Sequence, residues 1–267
     1  MPLAVCATPI GNLDDVTLRV LHELAEADLV LCEDTRRTRV LLDRHGIRTR
    51  ELVSYHRHNE ARRTAEVLPR LTAGDRVALA SDAGLPGIND PGARLVAAAL
   101  DAGVPVTVLP GPTAVATALV ASGFAGERYQ FLGYLPRGES ALRSLWTELG
   151  RWPHPVVGFE SPQRLPRALV SLADVLPDRR VAVCRELTKR FEEVVRGTPA
   201  ELAERFREPP KGEITLVLAG DDPVTDEGAA LDAVAELIAA GTPRRAAAEV
   251  VARLTGVARN RLYRDSL

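Results

Sequence analysis

Residues 77–92, VALASDAGLPGINDPG, constrain this chain more than any other stretch. Val77-Ala78-Leu79-Ala80 reads as a short buried strand. It runs straight into a loop with three glycines and two prolines, and a helical pattern follows over 93–102. Strand, Gly-rich loop and helix in that order place a ligand at the carboxyl edge of a parallel sheet. Gly84, Gly87 and Gly92 suit positive φ and a close backbone approach. Pro86 and Pro91 stiffen the loop, and Pro91 suits a helix N1 position with Asp90 as N-cap. Asp82 sets a carboxylate at the strand tip, where it can hold a ribose or an amine. One glycine here would mark an ordinary turn. Five conformationally special residues within nine positions point to a ligand loop.

The first 123 residues alternate apolar runs (3–7, 29–32, 52–55, 77–80, 106–109) with helical patterns (18–25, 38–45, 60–71, 93–102, 114–122). Such alternation predicts an α/β fold with a mostly parallel sheet covered on both faces. After residue 123 strands outnumber helices. Strands are expected at 129–134, 156–160, 181–186 and 214–219, with 192–197 able to pair with 181–186 as a hairpin. Helices are expected at 141–149, 164–176 and 200–206. This suits a second α/β domain with a mixed sheet over 124–220. Residues 220–223 read as a linker, and 225–267 as a helical tail with patterns at 229–240, 245–254 and 257–263.

With 46% hydrophobic and 26% charged residues the chain can bury a core. No apolar run reaches the ~18–20 residues a bilayer span needs, and the N-terminal residues carry no leader pattern. Cys6, Cys32 and Cys184 are odd in number and lie in apolar runs, as reduced thiols of a cytoplasmic protein do. No Cys-x-x-Cys or His-Glu-x-x-His spacing occurs, so no metal is expected. The net charge of −2 conceals basic stretches. Residues 36–63 hold nine arginines and three histidines against three acids, and residues 241–267 hold six arginines against two acids. Such patches bind phosphate or are solvated helix faces. Only two lysines occur, Lys189 and Lys211. A lysine in an arginine-rich chain offers a compact charge that a guanidinium does not.

Six segments together resemble one family. They are Ala7-Thr8-Pro9-Ile10-Gly11-Asn12-Leu13, Glu33-Asp34-Thr35-Arg36, the loop from Ser81 to Gly92, Pro110-Gly111-Pro112, Glu160-Ser161-Pro162 and Arg185-Glu186-Leu187-Thr188-Lys189. In this order they are similar to the ribosomal small subunit methyltransferase I family, a branch of the tetrapyrrole-methylase-like class III S-adenosylmethionine methyltransferases. Departures are Leu85 where Thr is expected, Asn89 for Ser and Gln163 for His. The resemblance implies two α/β domains with S-adenosylmethionine folded between them. It also implies methylation of a cytidine ribose 2′-hydroxyl in the decoding region of 16S ribosomal RNA, within the small ribosomal subunit, and a homodimer. The tail, with Arg244-Arg245 and Thr255-Gly256, looks like the helix-turn-helix-like appendix of some members.

On the family pattern Pro9, Asp82, Gly84, Leu85, Gly87, Thr113 and Ala114 bind the cofactor from the first domain. Phe159, Glu160, Leu187 and Glu213 close over it from the second. Methyl transfer from a sulfonium is an in-line displacement, so positioning can supply much of the acceleration. A ribose hydroxyl is a weak acid, which a base or a nearby cation would help. Lys189, Glu186, Glu33 and Asn12 are the candidates, with an ion pair at a strand end as the structural reading of the Glu and Lys. Asn89, Asp90 and His56 are weaker candidates for the chemistry. RNA contacts are expected from Arg36, Arg37, His56, Arg244 and Arg245. A tetrapyrrole methyltransferase of the same fold is the alternative, and the basic stretches favour RNA over it. A dinucleotide-dependent dehydrogenase lacks support, because no Gly-x-Gly-x-x-Gly follows the first strand. A non-enzymatic RNA-binding protein would not need the loop over 81–92.

Overall fold

The structure is a computed structural model that describes residues 2–221 and 227–266. Its elements run β1 (Leu3–Cys6), α1 (Leu18–Glu26), β2 (Leu29–Cys32), α2 (Thr35–Arg44), β3 (Leu52–Ser54), α3 (Glu60–Ala73), β4 (Val77–Ala80), α4 (Ala93–Asp101), β5 (Val106–Leu109) and α5 (Ala114–Ser122). A second series follows: β6 (Gln130–Tyr134), α6 (Glu139–Leu149), β7 (Val156–Glu160), α7 (Leu165–Val175), β8 (Val181–Arg185), β9 (Glu193–Gly197), α8 (Pro199–Arg205) and β10 (Ile214–Leu218). The tail is α9 (Glu227–Ala239), α10 (Arg244–Thr255) and α11 (Arg259–Asp265). A short 3-10 helix, Leu13–Asp15, lies between β1 and α1.

The first sheet has the order β3-β2-β4-β1-β5, and every pair is parallel. Its central strands β1, β2 and β4 are buried throughout, which is why they read as unbroken apolar runs. Leu3, Val5, Leu31 and Leu79 face α3 and α4. Ala4, Cys6, Val30 and Ala78 face α1 and α2 on the other side. Strand β1 ends at Cys6, one residue earlier than expected. Thr8 instead makes an isolated antiparallel bridge to Gly84, with N···O distances of 2.8 and 2.9 Å. The exits of the neighbouring strands β1 and β4 are thereby tied together. Helix α2 starts three residues earlier than expected because Asp34 caps it, accepting from the Arg36 N–H at 2.9 Å.

One local expectation is corrected. Asp90 does not cap the helix after the Gly-rich loop. Helix α4 begins at Ala93 with Gly92 as its N-cap, at φ 139°, a backbone conformation that suits glycine. The Gly92 N–H donates to the Glu60 carboxylate at 3.0 Å, so the cap comes from α3. Asp90 instead lines the cavity described below.

The second sheet, β6-β7-β10-β8-β9, is mixed: β6 and β7 are parallel and the other pairs antiparallel. Helices α6, α7 and α8 cover one face through a core that includes Trp146, Leu169 and Leu216. The other face is covered by α5, whose Val115, Ala118 and Leu119 pack on Val157, Ala182 and Val217. Chain order counts α5 with the first domain, yet its packing surface is the second sheet. Ile10 and Leu187 belong to that same cluster, so the loops after β1 and β8 meet on it. Arg179 is buried and donates to the carbonyls of Leu149, Gly150 and Ala219 at 2.8–3.0 Å, holding the end of α6 to the exit of β10. Of the expected linker, Asp222 and Pro223 lie outside the described residues. The tail helices close on a core of their own, formed by Val234, Ala247, Ala248, Val251, Val257 and Leu262.

Candidate active site

The carboxyl ends of β1, β2 and β4, the first turn of α5, and the ends of β6, β7 and β8 converge on a cavity of about 500 Å³. From the first sheet it is lined by Glu33, Asp82, Gly84, Leu85 and Asp90, and from α5 by Thr113 and Ala114. Phe159, Glu160, Leu187 and Glu213 line it from the second sheet. The strand-tip loop is held open by positive φ at Gly84 and Gly87 and, without glycine's freedom, at Asn89 (φ 62°). A smaller cavity of about 260 Å³ adjoins it. Pro9, Gly11, Thr38 and Lys189 line the smaller one, and both share Ile10, Arg37, Asp82, Ala83 and Glu213.

The carboxylates of the larger cavity differ in partners. Asp82 accepts from the Asp34 N–H at 2.8 Å and faces Arg37 at 3.5 Å, so one oxygen is fixed by backbone and the other by a guanidinium. Glu160 is buried and accepts from Ser161 N–H and Arg164 Nε, each at 2.6 Å. Asp90 is pushed up to about 6, first by burial and then by the negative charges of Glu33 and Asp82. Glu33 is raised as well, by burial and by Asp82. The cavity therefore holds carboxyls of unequal basicity. Its apolar wall is Leu85, Leu187 and Phe159, whose ring meets those of Phe131 and Tyr134 edge to face at 5.0 and 5.7 Å. Thr113 is the N-cap residue of α5, but its side chain makes no cap bond among the described residues. The first turn of α5, whose N–H groups have no partner within the helix, lies with it along the wall.

The turn between β8 and β9 carries the chain's most unusual backbone. Glu186 (φ 52°) and Thr188 (φ 65°) both have positive φ without being glycine. Lys189 Nζ donates to Glu186 Oε1 at 2.9 Å and to Glu213 Oε2 at 2.7 Å. Glu186 Oε1 also accepts from the Glu213 N–H at 2.9 Å. Burial alone would lower the Lys189 pKa, but the hydrogen bonds to Glu213 and Glu186 outweigh it and raise the pKa overall. Lys189 is thus a fixed cation and not a proton acceptor at neutral pH. Glu186 moves the other way: burial opposes its ionisation, and Lys189 with the Glu213 N–H more than offsets this.

The remaining expected site residues lie elsewhere. Asn12 lines neither cavity; its side chain caps the 3-10 helix by accepting from Asp14 N–H at 3.1 Å. Its own N–H donates to Thr188 Oγ1 at 3.0 Å, so it ties the two domains' loops together. Arg36 is exposed and folded onto Asp34, at 2.7 Å. His56 lies outside the cavity linings, with Nε2 3.2 Å from Asn59 Nδ2 and a buried Nδ1 that has no partner among the described residues. Arg244 binds within the tail, stacking on Tyr263 at 4.6 Å and reaching the Tyr263 and Arg264 carbonyls. Arg245 is exposed. Tyr134, Arg57 and Ile88 line the larger cavity without having been singled out. The strand-end rule applied to 129–134 would have found Tyr134.

Among the described residues no helix is long and apolar enough to cross a membrane, and no group of three His, Cys, Asp or Glu side chains could hold a metal ion.

Comparison with known proteins sharpens this picture in two stages. The family model of Tetrapyrrole (Corrin/Porphyrin) Methylases matches residues 2–203. Two solved structures share the fold. Cobalt precorrin-4 methyltransferase aligns over 81% of this chain and 94% of its own, with a TM-score of 0.60 at 19% identity. Uroporphyrin-III C-methyl transferase from Thermus thermophilus, in a complex with S-adenyl homocysteine, covers 81% and 96% with a TM-score of 0.56 at 20% identity. The two sheets with a cavity between them are thus the architecture of the tetrapyrrole-methylase class. Within that class the nearer likeness is to proteins named Ribosomal RNA small subunit methyltransferase I. The one from Mesorhizobium japonicum is 43% identical, over 99% of this chain and 91% of its own. That from Thermotoga maritima is 43% identical, over 82% and 99%. That from Micromonospora olivasterospora is 45% identical, over 98% and 85%. The chain belongs to the ribosomal RNA small subunit methyltransferase I family.

Proposed function

We propose that the protein transfers a methyl group from S-adenosylmethionine to the ribose 2′-hydroxyl of a cytidine in 16S ribosomal RNA of the small ribosomal subunit. The observation that carries this is the family membership: three relatives named for small-subunit ribosomal RNA match at 43–45% identity. The solved tetrapyrrole enzymes, at 19–20%, share only the fold.

The larger cavity suits the cofactor. Leu85, Phe159 and Leu187 offer an apolar bed for an adenine ring. Carboxylates at Asp82 and Glu213 suit hydroxyls or an amine, and the first turn of α5 with Thr113 suits a carboxylate. Held there by Leu85, Phe159, Leu187, Asp82 and Glu213, S-adenosylmethionine would supply an electrophilic methyl, whose C–S electron pair would stay on sulfur as the ribose oxygen takes the methyl. The chain's own residues orient the acceptor, exclude water and manage the hydroxyl proton. Lys189, held as a cation between Glu186 and Glu213, favours negative charge on the acceptor oxygen. Glu33, whose carboxyl is made more basic by burial, lines the larger cavity and is the carboxylate we assign to take the proton as donor and acceptor meet at its rim. Asn12 keeps the β8–β9 turn in place and acts as a positioning residue.

The exposed arginines of α2 suit the RNA backbone, as does Arg245; Arg244 is engaged within the tail. Thermotoga maritima's relative is matched along 99% of its length while covering 82% of this chain, so a family member dispenses with a segment about the size of the tail. We assign the tail a part in substrate binding and none in the chemistry. A ribosomal RNA substrate supports a cytoplasmic location, and dimerisation is carried over from the family resemblance, with sedimentation as its check.

The test is to incubate purified protein and radiolabelled S-adenosylmethionine with small subunits from cells lacking the gene. Mass spectrometry of the digested RNA should show one 2′-O-methylcytidine. Unmodified RNA together with a methylated tetrapyrrole would overturn the reading.

A further inference from the structure

Two adjoining cavities share a rim, and of the two only the larger has the span expected of a site for a nucleoside cofactor. The smaller one needs an occupant of its own. Three observations describe what it accepts. Its wall along α2 is apolar, from Val40 and Leu41, and Leu13 of the 3-10 helix continues it. Its opposite side carries the Lys189 ammonium, held between Glu186 and Glu213. Arg37 of α2 lines it too, and Arg36 and Arg39 on the same helix are exposed. Arg37 lines both cavities and faces Asp82 at 3.5 Å.

An apolar wall, an ammonium held between two carboxylates and exposed guanidiniums on α2 together match one nucleotide: a flat base, a ribose whose hydroxyl can bond Lys189 or Glu213, and flanking phosphates. Enzymes that do chemistry on a base take the nucleotide out of its stack into a pocket of this kind, and the same device would present a ribose hydroxyl to a donor beside it. The arginines of α2 would meet the backbone on either side. The shared rim at Ile10, Ala83 and Glu213 is where donor and acceptor would have to meet for an in-line transfer.

We infer that the smaller cavity receives the acceptor nucleotide of the RNA, with its base against Leu13, Val40 and Leu41 and its ribose toward Lys189. This rests on the methyl-transfer reading above.

Val40 offers a way to test it, because its side of α2 is open and Val40 is 57% exposed, so a larger side chain there need not disturb the core. Val40→Trp should fill the cavity. Leu100→Trp, at an exposed site on α4 (59%), is the control. Small-subunit methylation, cofactor binding by calorimetry and the melting temperature are measured for all three proteins. The expected result is at least a tenfold loss of kcat/KM for subunits in Val40→Trp, with cofactor Kd within twofold and Leu100→Trp unaffected. Normal methylation by a folded Val40→Trp would overturn the inference. If Val40→Trp melts early, a benzophenone amino acid at position 40 decides instead. Its crosslink should map to the methylated nucleotide or an immediate neighbour, and a crosslink to a distant RNA segment would overturn the assignment. Wild-type protein that binds cofactor but leaves the RNA unmodified would instead overturn the methyl-transfer reading, and this inference with it.

Discussion

Gly11 and Lys189 approach so closely that position 11 has no room for a side chain. A Cβ on Gly11 would stand 2.5 Å from Lys189 Cγ, 2.7 Å from Thr188 Oγ1 and 2.9 Å from the Leu187 carbonyl oxygen. The lysine stem could swing aside, but a backbone carbonyl in a turn with two positive-φ residues could not do so cheaply. Gly11→Ala should therefore shift the β8–β9 turn and misplace Lys189. We expect a stability loss of about 1–3 kcal/mol, as for other overpacked sites, and a larger fall in methylation than in cofactor affinity. Thermal melts beside single-turnover assays measure both.

Lys189 itself should be felt in the chemical step. A group that interacts more strongly with a developing oxyanion than with a neutral hydroxyl acts on the transition state. Lys189→Ala should slow single-turnover methylation by about 10²-fold, with cofactor affinity nearly unchanged. Lys189→Arg should restore it only in part, because a planar fork does not reproduce a point charge between Glu186 and Glu213. Full turnover by Lys189→Ala, with only a lower melting temperature, would reduce the residue to a structural ion pair.

Asp90 makes a stability prediction with a definite sign. Its carboxyl is raised from 3.8 to about 6, so the native state holds the proton more tightly than the unfolded chain does. That contribution is fully present below pH 4 and is lost as the pH rises through about 6. At pH 7.5 the ionised group burdens the fold, by about 1–2 kcal/mol after allowance for its partial exposure. Asp90→Asn should melt higher than wild type at pH 7.5, and the difference should vanish near pH 4. Equal melting temperatures at both pH values would contradict this.

The three thiols should be inert in the native protein. Burial pushes Cys6 and Cys184 up to about 12 and Cys32 to about 11. Almost no thiolate exists at neutral pH, and the thiolate is the reactive form. An aromatic disulfide reagent should titrate no thiol before unfolding and three afterward.

Much of the fold was legible because parallel strands buried on both faces are spelled as unbroken apolar runs. Strands at 29–32 and 77–80, buried throughout, have the expected bounds. Their order in the sheet is set by long-range pairing and leaves no local mark. The allegiance of α5 was hidden for a related reason: AVATALVAS has no charged face to show which sheet it covers. The cap of α4 was misread because its partner, Glu60, lies thirty-two residues away. The site residues from 82 to 85, 113, 114 and 187 share one cavity, since strand ends gather at one sheet edge. Asn12 looked equally polar, but its side chain is spent on Asp14, a local hydrogen bond that composition does not reveal.

Helix α5 belongs to the first half of the chain by covalent order and to the second sheet by packing. It acts as a splint, since neither sheet can lose its structure without stripping the helix of an anchor. The two halves should consequently melt together as one cooperative unit, while the tail, closed on its own core, unfolds as a second one. Calorimetry would then give two heat-absorption peaks for three chain segments. Added S-adenosylmethionine would move only the larger peak, making a thermogram a direct map of which segments share a ligand.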